Sequence, residues 1–321
     1  MNSELRDAIR NLESMHVTVG GNESFIGDAL SGIGSGIKEA AMAGGSAAAS
    51  KAVSGLKSLN TALIKNLGTR RMLLSNLLSR VNKGENKEEI TFPGSILKNY
   101  SENGKPNGLI GGVETTTNMF NDILKYCKDM EAFYHQELKA IESINSIKNT
   151  EQAASVLDTF NQLEAKFPTP KGADEQNNES VSWLLPGSRA IVYHINTKKF
   201  TFESHDHEKQ VEEVTESFAQ SEFKELITKL NEMVSVYKGI SEANASYGEY
   251  LKKYNTVVGK ASEHLSSLRG EVSASLLNDL GNRVDGNTLL FTFYTGFLAK
   301  VVIYLDDYVE TLSSHLSKQF N

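Results

Sequence analysis

The chain has 321 residues, a formal net charge of −7, 39% hydrophobic residues and 23% charged residues. These values are typical of a protein that buries a sizeable core, and they argue against a wholly disordered chain. Five prolines are few for an all-β protein, and the single cysteine, Cys127, excludes an intrachain disulfide framework and a multi-cysteine metal site. The polar, charged start of the chain predicts no secretory signal peptide.

The first 54 residues differ in composition from the rest of the chain. A Gly20-Gly21-Asn22 break follows a charged stretch, and residues 40–54 then consist almost entirely of Ala, Gly and Ser. Small side chains bury little apolar area. We therefore predict a flexible arm over residues 1–54, ahead of a helical body over residues 55–321. As a helix, the Ala/Gly/Ser-rich segment could pack tightly on a partner helix or on a membrane, and it could equally stay frayed.

Charge is distributed unevenly along the chain. Residues 1–26 carry −2, residues 27–84 carry +6 and residues 85–321 carry −11. A basic segment before an acidic body indicates contact with nucleic acid or an anionic membrane, although an ordinary solvated helix face explains it equally well. No aromatic residue lies among these basic residues, so any nucleic-acid contact would be to phosphates and non-specific. The candidate polyanion contacts are Lys51, Lys57, Lys65, Arg70 and Arg71.

The leucine spacing after the arm predicts a helix over residues 55–82. The turn sequences Asn103-Gly104 and Pro106-Asn107-Gly108 predict a connector over residues 83–108. Apolar residues at three- and four-residue spacing then predict helices over residues 109–147 and 150–166.

One β-hairpin interrupts this helical pattern. Residues 167–187 contain Pro168, Pro170 and a polar run, which predict an exposed loop. Residues 188–195 and 199–204 read as strands joined by a turn at Asn196-Thr197-Lys198. Because an isolated hairpin is marginally stable, we expect it to pack on helices, with Trp183 as an anchor.

The last third of the chain again predicts helices, over residues 209–237, 240–281 and 287–319. The most apolar run, residues 289–305, reaches only the lower length limit for a bilayer span and contains Lys300. We interpret it as a buried core helix. The predicted fold is mainly α, an elongated helical bundle with one small β-hairpin at about residues 188–204.

Motifs for catalysis or cofactor binding are absent from the sequence. It contains no phosphate-binding loop, no dinucleotide fingerprint in a βαβ context and no nucleophile elbow. His205-Asp206-His207 with His194 is the best candidate metal cluster, but exposed polar residues at a strand end are the preferred interpretation. Cys127 fits a small core residue in a helix. We therefore predict no enzymatic activity, no cofactor and no metal.

The order of these parts resembles the internal head (inner body) proteins of phiKZ-like giant tailed bacteriophages. A charged N-terminal stretch is followed by a basic, Gly/Ala/Ser-rich arm, and the Asn103-Gly104-Lys105-Pro106 turn opens a long helix. Trp183-Leu184-Leu185-Pro186-Gly187 leads into the hairpin, and long helices close the chain. The resemblance implies a non-enzymatic virion structural protein, made in the host cytoplasm, packaged in the capsid interior and capable of ejection with the DNA. Its implied partners are other virion proteins, packaged DNA bound non-specifically, and a prohead protease.

In that family, a prohead protease removes N-terminal propeptides by cutting after Glu in a small-any-Glu context. The tripeptide Gly21-Asn22-Glu23 fits this context, where the composition of the chain changes. The same context ends at Glu114, Glu142, Glu175 and Glu263. The cut is predicted after Glu23, and the sites at Glu142 and Glu263 are expected to be protected within helices.

A second interpretation is a membrane-interacting helical effector or a pore-forming protein. It is favoured by the small residues of 27–54, which would contact the membrane, and by the apolar run 289–305. Residues 27–54 carry no net charge, so attraction to anionic lipid would come from the basic residues that follow them. The sequence makes no prediction of the oligomeric state.

Overall fold

Two helices form the N-terminal part of the computed structural model, which describes residues 3–19, 35–85, 87–171, 179–204, 211–284 and 288–320. Within residues 13–19, 35–49, 204 and 288 it describes the backbone only. Helix α1 is Ser3–Val19 and helix α2 is Ser35–Asn82. The two helices pack together, and Leu5, Ile9 and Leu12 of α1 are fully buried.

The boundary predicted at residue 54 lies inside α2. Alanine is the best helix former, and a helix that has formed over residues 55–82 extends toward its N-terminus at little cost. The described parts of the predicted arm, residues 3–19 and 35–54, are helical, and residues 35–54 continue into the body within α2. Its division from the body during maturation stays a prediction.

A small two-stranded sheet is the first feature that the sequence did not predict. The predicted connector contains strand β1, Glu89–Phe92, and helix α3, Gly94–Tyr100. β1 pairs antiparallel with strand β5, Val214–Ser217, which lies where a helix was predicted to begin. Both predictions were wrong at these residues because four-residue strands carry little periodicity, and the pairing joins distant parts of the chain.

Helices α4, Gly108–Ser143, and α5, Thr150–Ala165, confirm the predictions for residues 109–147 and 150–166. A short 3₁₀ turn, Ile144–Ser146, separates the two helices. The side chain of Asn149 caps α5 by accepting a hydrogen bond from the Gln152 N–H at 2.9 Å. This cap satisfies one of the free N–H groups at the start of the helix.

The predicted hairpin is part of a three-stranded antiparallel sheet. Strands β2, Ser180–Leu185, β3, Arg189–His194, and β4, Lys199–Ser204, lie in the order β2-β3-β4. The hairpin β3-β4 confirms the prediction, whereas β2 occupies part of the predicted loop. Trp183 is on β2 and stacks with Phe200 of β4, so it anchors the sheet from within.

The turn between β2 and β3 requires a glycine. Gly187 has a φ of +83°, which L-residues with a Cβ rarely adopt. A Cβ on Gly187 would also lie 2.7 Å from the carbonyl oxygen of Asn99. The turn therefore packs directly against the end of α3.

Helix α6, Gln220–Val234, lies within the helix predicted over residues 209–237. The long helix predicted over residues 240–281 is two helices in the structure, α7, Val236–Ser267, and α8, Ala274–Val284. The break after α7 contains Gly270 with a φ of +93°. α8 turns back because its apolar face completes a second, smaller core with α5 and the adjoining ends of α4 and α7.

The C-terminal helix is buried, as predicted for residues 289–305. It comprises α9, Thr288–Thr292, a π-helical segment, Phe293–Phe297, and α10, Leu298–Ser317, followed by the 3₁₀ turn Lys318–Phe320. The segment Ala274–Phe320 contains a window long and apolar enough to cross a membrane by length and composition. In the structure this window supplies much of the main core, and all five π-helical residues are buried.

A buried carboxylate joins three helices. Asp306 of α10 is fully buried and accepts hydrogen bonds from Arg70 and Asn66 of α2 and from the Tyr237 hydroxyl of α7. The Tyr237 oxygen is 2.7 Å from Asp306 Oδ1, and Arg70 Nη2 is 2.7 Å from Glu310 Oε2. Burial alone would lower the pKa of Arg70, but the charges of Asp306 and Glu310 raise it, so the guanidinium stays charged.

Stacked tyrosines join α4, α7 and the π-helical segment. The ring centroids of Tyr247 and Tyr294 are 4.1 Å apart and the two rings are nearly parallel. The ring of Tyr134 lies beside them at an angle to both. The Tyr250 hydroxyl donates to the buried Glu137 carboxylate at 2.8 Å. Burial raises the pKa of each of these four tyrosines, so their hydroxyls remain neutral donors.

Replacing Asp306 by alanine is expected to lower the free energy of unfolding by about 3–5 kcal/mol, because it leaves Arg70 buried beside only one carboxylate. Urea denaturation followed by far-UV circular dichroism measures the change. The control is Asp307→Ala, one residue along the same helix and only half-buried, for which we expect a change of about 0.5 kcal/mol. Equal destabilisation by the two variants would contradict this assignment.

Candidate polyanion-contact surface

Basic residues lie on the solvent-facing side of α2, in a part of the helix that contains no carboxylate. The sequence contains no Asp or Glu between residues 40 and 84. Helical periodicity buries Leu56, Leu59 and Leu63 against the core, and polar and basic side chains face outward. We call the outward-facing residues of 51–84 the basic face.

Three of the five predicted polyanion contacts keep their charge on this face. Lys51 and Lys57 are exposed, and neither forms an ion pair within the described residues. Arg71 is exposed and donates from Nη2 to the neutral Ser235 hydroxyl at 3.2 Å. Lys57 and Arg71 are 14 residues apart, close to four turns, and so project on the same side of α2.

The other two predicted contacts are neutralised by carboxylates. Lys65 Nζ lies 2.7 Å from both carboxylate oxygens of Glu4 on α1, with both side chains more than half exposed. Arg70 is 8% exposed and is held by Asp306 and Glu310. The interpretation of Arg70 as a surface contact is therefore corrected, because its charge is used inside the bundle.

Two exposed apolar side chains lie among the unpaired cations. Ile64 is 50% exposed and Met72 is 64% exposed, on either side of Gly68 along the helix. A Cβ on Gly68 would meet no atom within 4 Å, so the surface there is open. This mixture of charge and apolar surface suits contact along a large partner.

The candidate cleavage residues Gly21, Asn22 and Glu23 lie outside the described residues, as does the tripeptide that ends at Glu175. The three remaining tripeptides are helical: Glu114 and Glu142 are in α4, and Glu263 is in α7. Glu114 is also paired with Lys229 at 3.0 Å. Proteases cut exposed irregular segments, so the helices protect these three sites while the protein is folded.

Of the residues considered for reactive or metal-binding roles, the structure describes Cys127 and His194. Cys127 is 3% exposed in α4, and burial raises its pKa to about 12. His194 Nε2 lies 3.0 Å from Thr201 Oγ1 and 3.5 Å from Glu203 Oε1 across the β3-β4 pair. His205, Asp206 and His207 lie outside the described residues. Within the described part of the chain, no group of three or more metal-binding side chains comes together.

The sequence analysis missed three residues whose side chains hold α2 against its neighbouring helices, namely Asp306, Tyr237 and Glu4. Asp306 has a detectable signal, because it lies four residues after Val302 and three before Val309 on an apolar face. A carboxylate in that position indicates a buried partner. Glu4 has no such signal, since its contact with Lys65 depends on how α1 docks.

Comparison with known families matches residues 5–305 to a model of phiKZ-like phage internal head proteins. The match begins within α1 and ends within α10, so it covers both sides of the predicted cut. No curated protein and no solved structure matches the chain.

Cys127 is expected to be unreactive toward iodoacetamide at pH 8 in the folded protein. A thiol with a pKa near 12 is almost wholly protonated at that pH, and the thiolate is the reactive form. Mass spectrometry should show no modification of the native protein and complete modification in guanidinium chloride. Rapid labelling of the folded protein would contradict the burial of this thiol.

Proposed function

The chain belongs to the phiKZ-like phage internal head proteins, and from this premise we propose a non-enzymatic packing protein that contacts packaged DNA through the basic face of α2 and loses its N-terminal segment during maturation. An internal head protein is a structural component of the virion and lies inside the capsid. Packaged DNA, other virion proteins and the prohead protease are its proposed partners.

The observation that carries the DNA contact is the set of cations on the basic face that form no ion pair with any described residue. Lys57 and Arg71 project on the same side of α2, about 21 Å apart at 1.5 Å per residue. Lys51 lies about 30 Å from Arg71 along the axis and about 160° around the helix from it, at the other edge of the outward side. Duplex DNA carries one phosphate charge per about 1.7 Å of its axis, so a helix lying along it meets several phosphates. No carboxylate within α2 after Glu39 opposes this approach.

The acidic body directs the contact to this one face. Residues 85–321 carry a net charge of −11, which repels DNA from most of the remaining surface. The basic stretch 27–84 contains no aromatic residue on which bases could stack. The proposed contact is therefore to phosphates, independent of base sequence and weak at high salt.

The distribution of small-any-Glu tripeptides supports processing after Glu23. Three of the five tripeptides are within long helices, which leaves those ending at Glu23 and Glu175. A cut after Glu175 would separate α5 from the β2-β3-β4 sheet in the middle of the matched family region. A cut after Glu23 leaves the whole body as one chain, which suits removal of a propeptide.

The proposed DNA contact predicts a strong salt dependence. For three phosphate contacts, the slope of log K against log salt is expected to be about −3. The triple variant Lys51→Gln, Lys57→Gln, Arg71→Gln should lose most of this slope and bind at least about 10-fold more weakly at low salt. Fluorescence anisotropy with a labelled duplex from 20 to 200 mM salt is the measurement.

The matched control replaces three exposed lysines of α7, Lys238, Lys252 and Lys253, by glutamine. It changes the net charge by the same amount, but Lys238 and Lys252 each already face a carboxylate of their own helix. If both triple variants weaken DNA binding equally, net charge is responsible and the basic face is not the contact.

Processing predicts a new N-terminus at Ser24 in mature particles. N-terminal sequencing and intact-mass measurement of the protein from purified virions test this. A Glu23→Gln substitution in the phage should leave the chain uncut, whereas Glu114→Gln should leave processing unchanged, because Glu114 is within α4. A Met1 start in mature particles would remove the processing step from the proposal.

A further inference from the structure

Helix α1 is docked on the body through the residues that precede the proposed cut. Leu5, Ile9 and Leu12 are at most 1% exposed, and Ala8 is 5% exposed. These four positions repeat at three- and four-residue spacing and form one face of the helix. They belong to the same hydrophobic cluster as α2 and the C-terminal helix, so α1 is part of the main core.

The surface that receives α1 is built from three separate elements. α1 contacts α2, the π-helical segment Phe293–Phe297 and α10. Phe293, Phe297 and Leu298 are buried at this end of the C-terminal helix. These elements are held together without α1, since Asp306 joins α10 to α2 through Arg70 and Asn66.

An ion pair fixes the position of α1 along α2. Both carboxylate oxygens of Glu4 accept from Lys65 Nζ at 2.7 Å. Glu4 is also in the first turn of α1, where the helix dipole favours a negative charge. This pair is exposed and contributes less than the apolar face, but it selects one register.

We infer that the surface formed by α2, the π-helical segment and α10 is a binding groove for the helix at residues 3–12, and that it retains peptide 1–23 as a separate, non-covalently bound chain after the proposed cut. The inference rests on the cut proposed after Glu23. Every described side-chain contact of α1 lies within residues 3–12, so hydrolysis after Glu23 breaks none of them. The mature protein would then be a two-chain complex with its core still covered.

The experiment uses the full chain with a site-specific protease sequence inserted after Glu23. The protein is purified intact, cut after folding and passed over a gel-filtration column at micromolar concentration. Intact-mass spectrometry of the body peak should find peptide 1–23 in a one-to-one ratio. If the peptide elutes separately while the body stays folded, the inference is overturned.

A pair of variants locates the contact. Ile9→Asp puts a carboxylate on the buried face of α1, and the cut peptide should be released at least about 10-fold faster. Arg10→Asp puts the same side chain at the next, exposed position and should leave retention unchanged. Far-UV circular dichroism checks that each body is folded, and Ile9→Ala replaces Ile9→Asp if the latter does not fold.

The two proposals fail in different ways. If the protein in mature particles begins at Met1, the proposed processing is overturned. The binding of peptide 1–23 by the protein cut at the engineered site is not affected by that result. Loss of the peptide from the cut protein overturns the groove, whatever the N-terminus in particles. If particles contain the Ser24 form and peptide 1–23 together, both proposals are supported.

Discussion

The structure depends on one buried carboxylate. Asp306 lies on an apolar helix and is fully removed from solvent, so it needs hydrogen-bond donors on every side. Arg70 and Asn66 supply them from α2, and Tyr237 supplies one from α7. Because only one arrangement of the three helices brings these groups together, the network fixes the register of α2 against the C-terminal helix. The outward direction of Lys57 and Arg71 follows from that register, as does the surface that receives α1.

The position of α2 also gives one helix two roles. Its inner side is leucine-rich and packs on the core, while its outer side carries cations, and the helix contains no carboxylate after Glu39 to offset them. Arg70 and Arg71 are adjacent in sequence but differ by about 100° around the helix, which is enough to bury one and expose the other. An acidic protein can thus present basic side chains to a polyanionic partner, provided that these residues lie on one rigid element.

The proposed maturation acts on a segment that is already part of the core. The segment before the proposed cut is not a solvent-exposed extension, because α1 buries three large apolar side chains at residues 3–12. Peptide-bond hydrolysis changes the linkage of such a helix to the body without changing its contacts. Whether it stays then depends on the free energy of its docking and on the protein concentration. The proposed processing and the removal of the segment are therefore physically separate steps.

The sequence by itself determined the helical class, the long helices of residues 55–82, 109–147 and 150–166, the hairpin at 188–204 and the family, because each leaves a local period or an ordered set of parts. It did not determine the β1-β5 pair, the third strand β2 or the break at Gly270, since short strands and chain reversals are decided by distant partners. For the candidate surface, composition identified five basic residues, and only the tertiary structure separated Lys51, Lys57 and Arg71 from the paired Lys65 and Arg70. The reason is physical: the type of a side chain fixes its charge, but its environment in the fold decides whether that charge is neutralised by a neighbour or left for a partner.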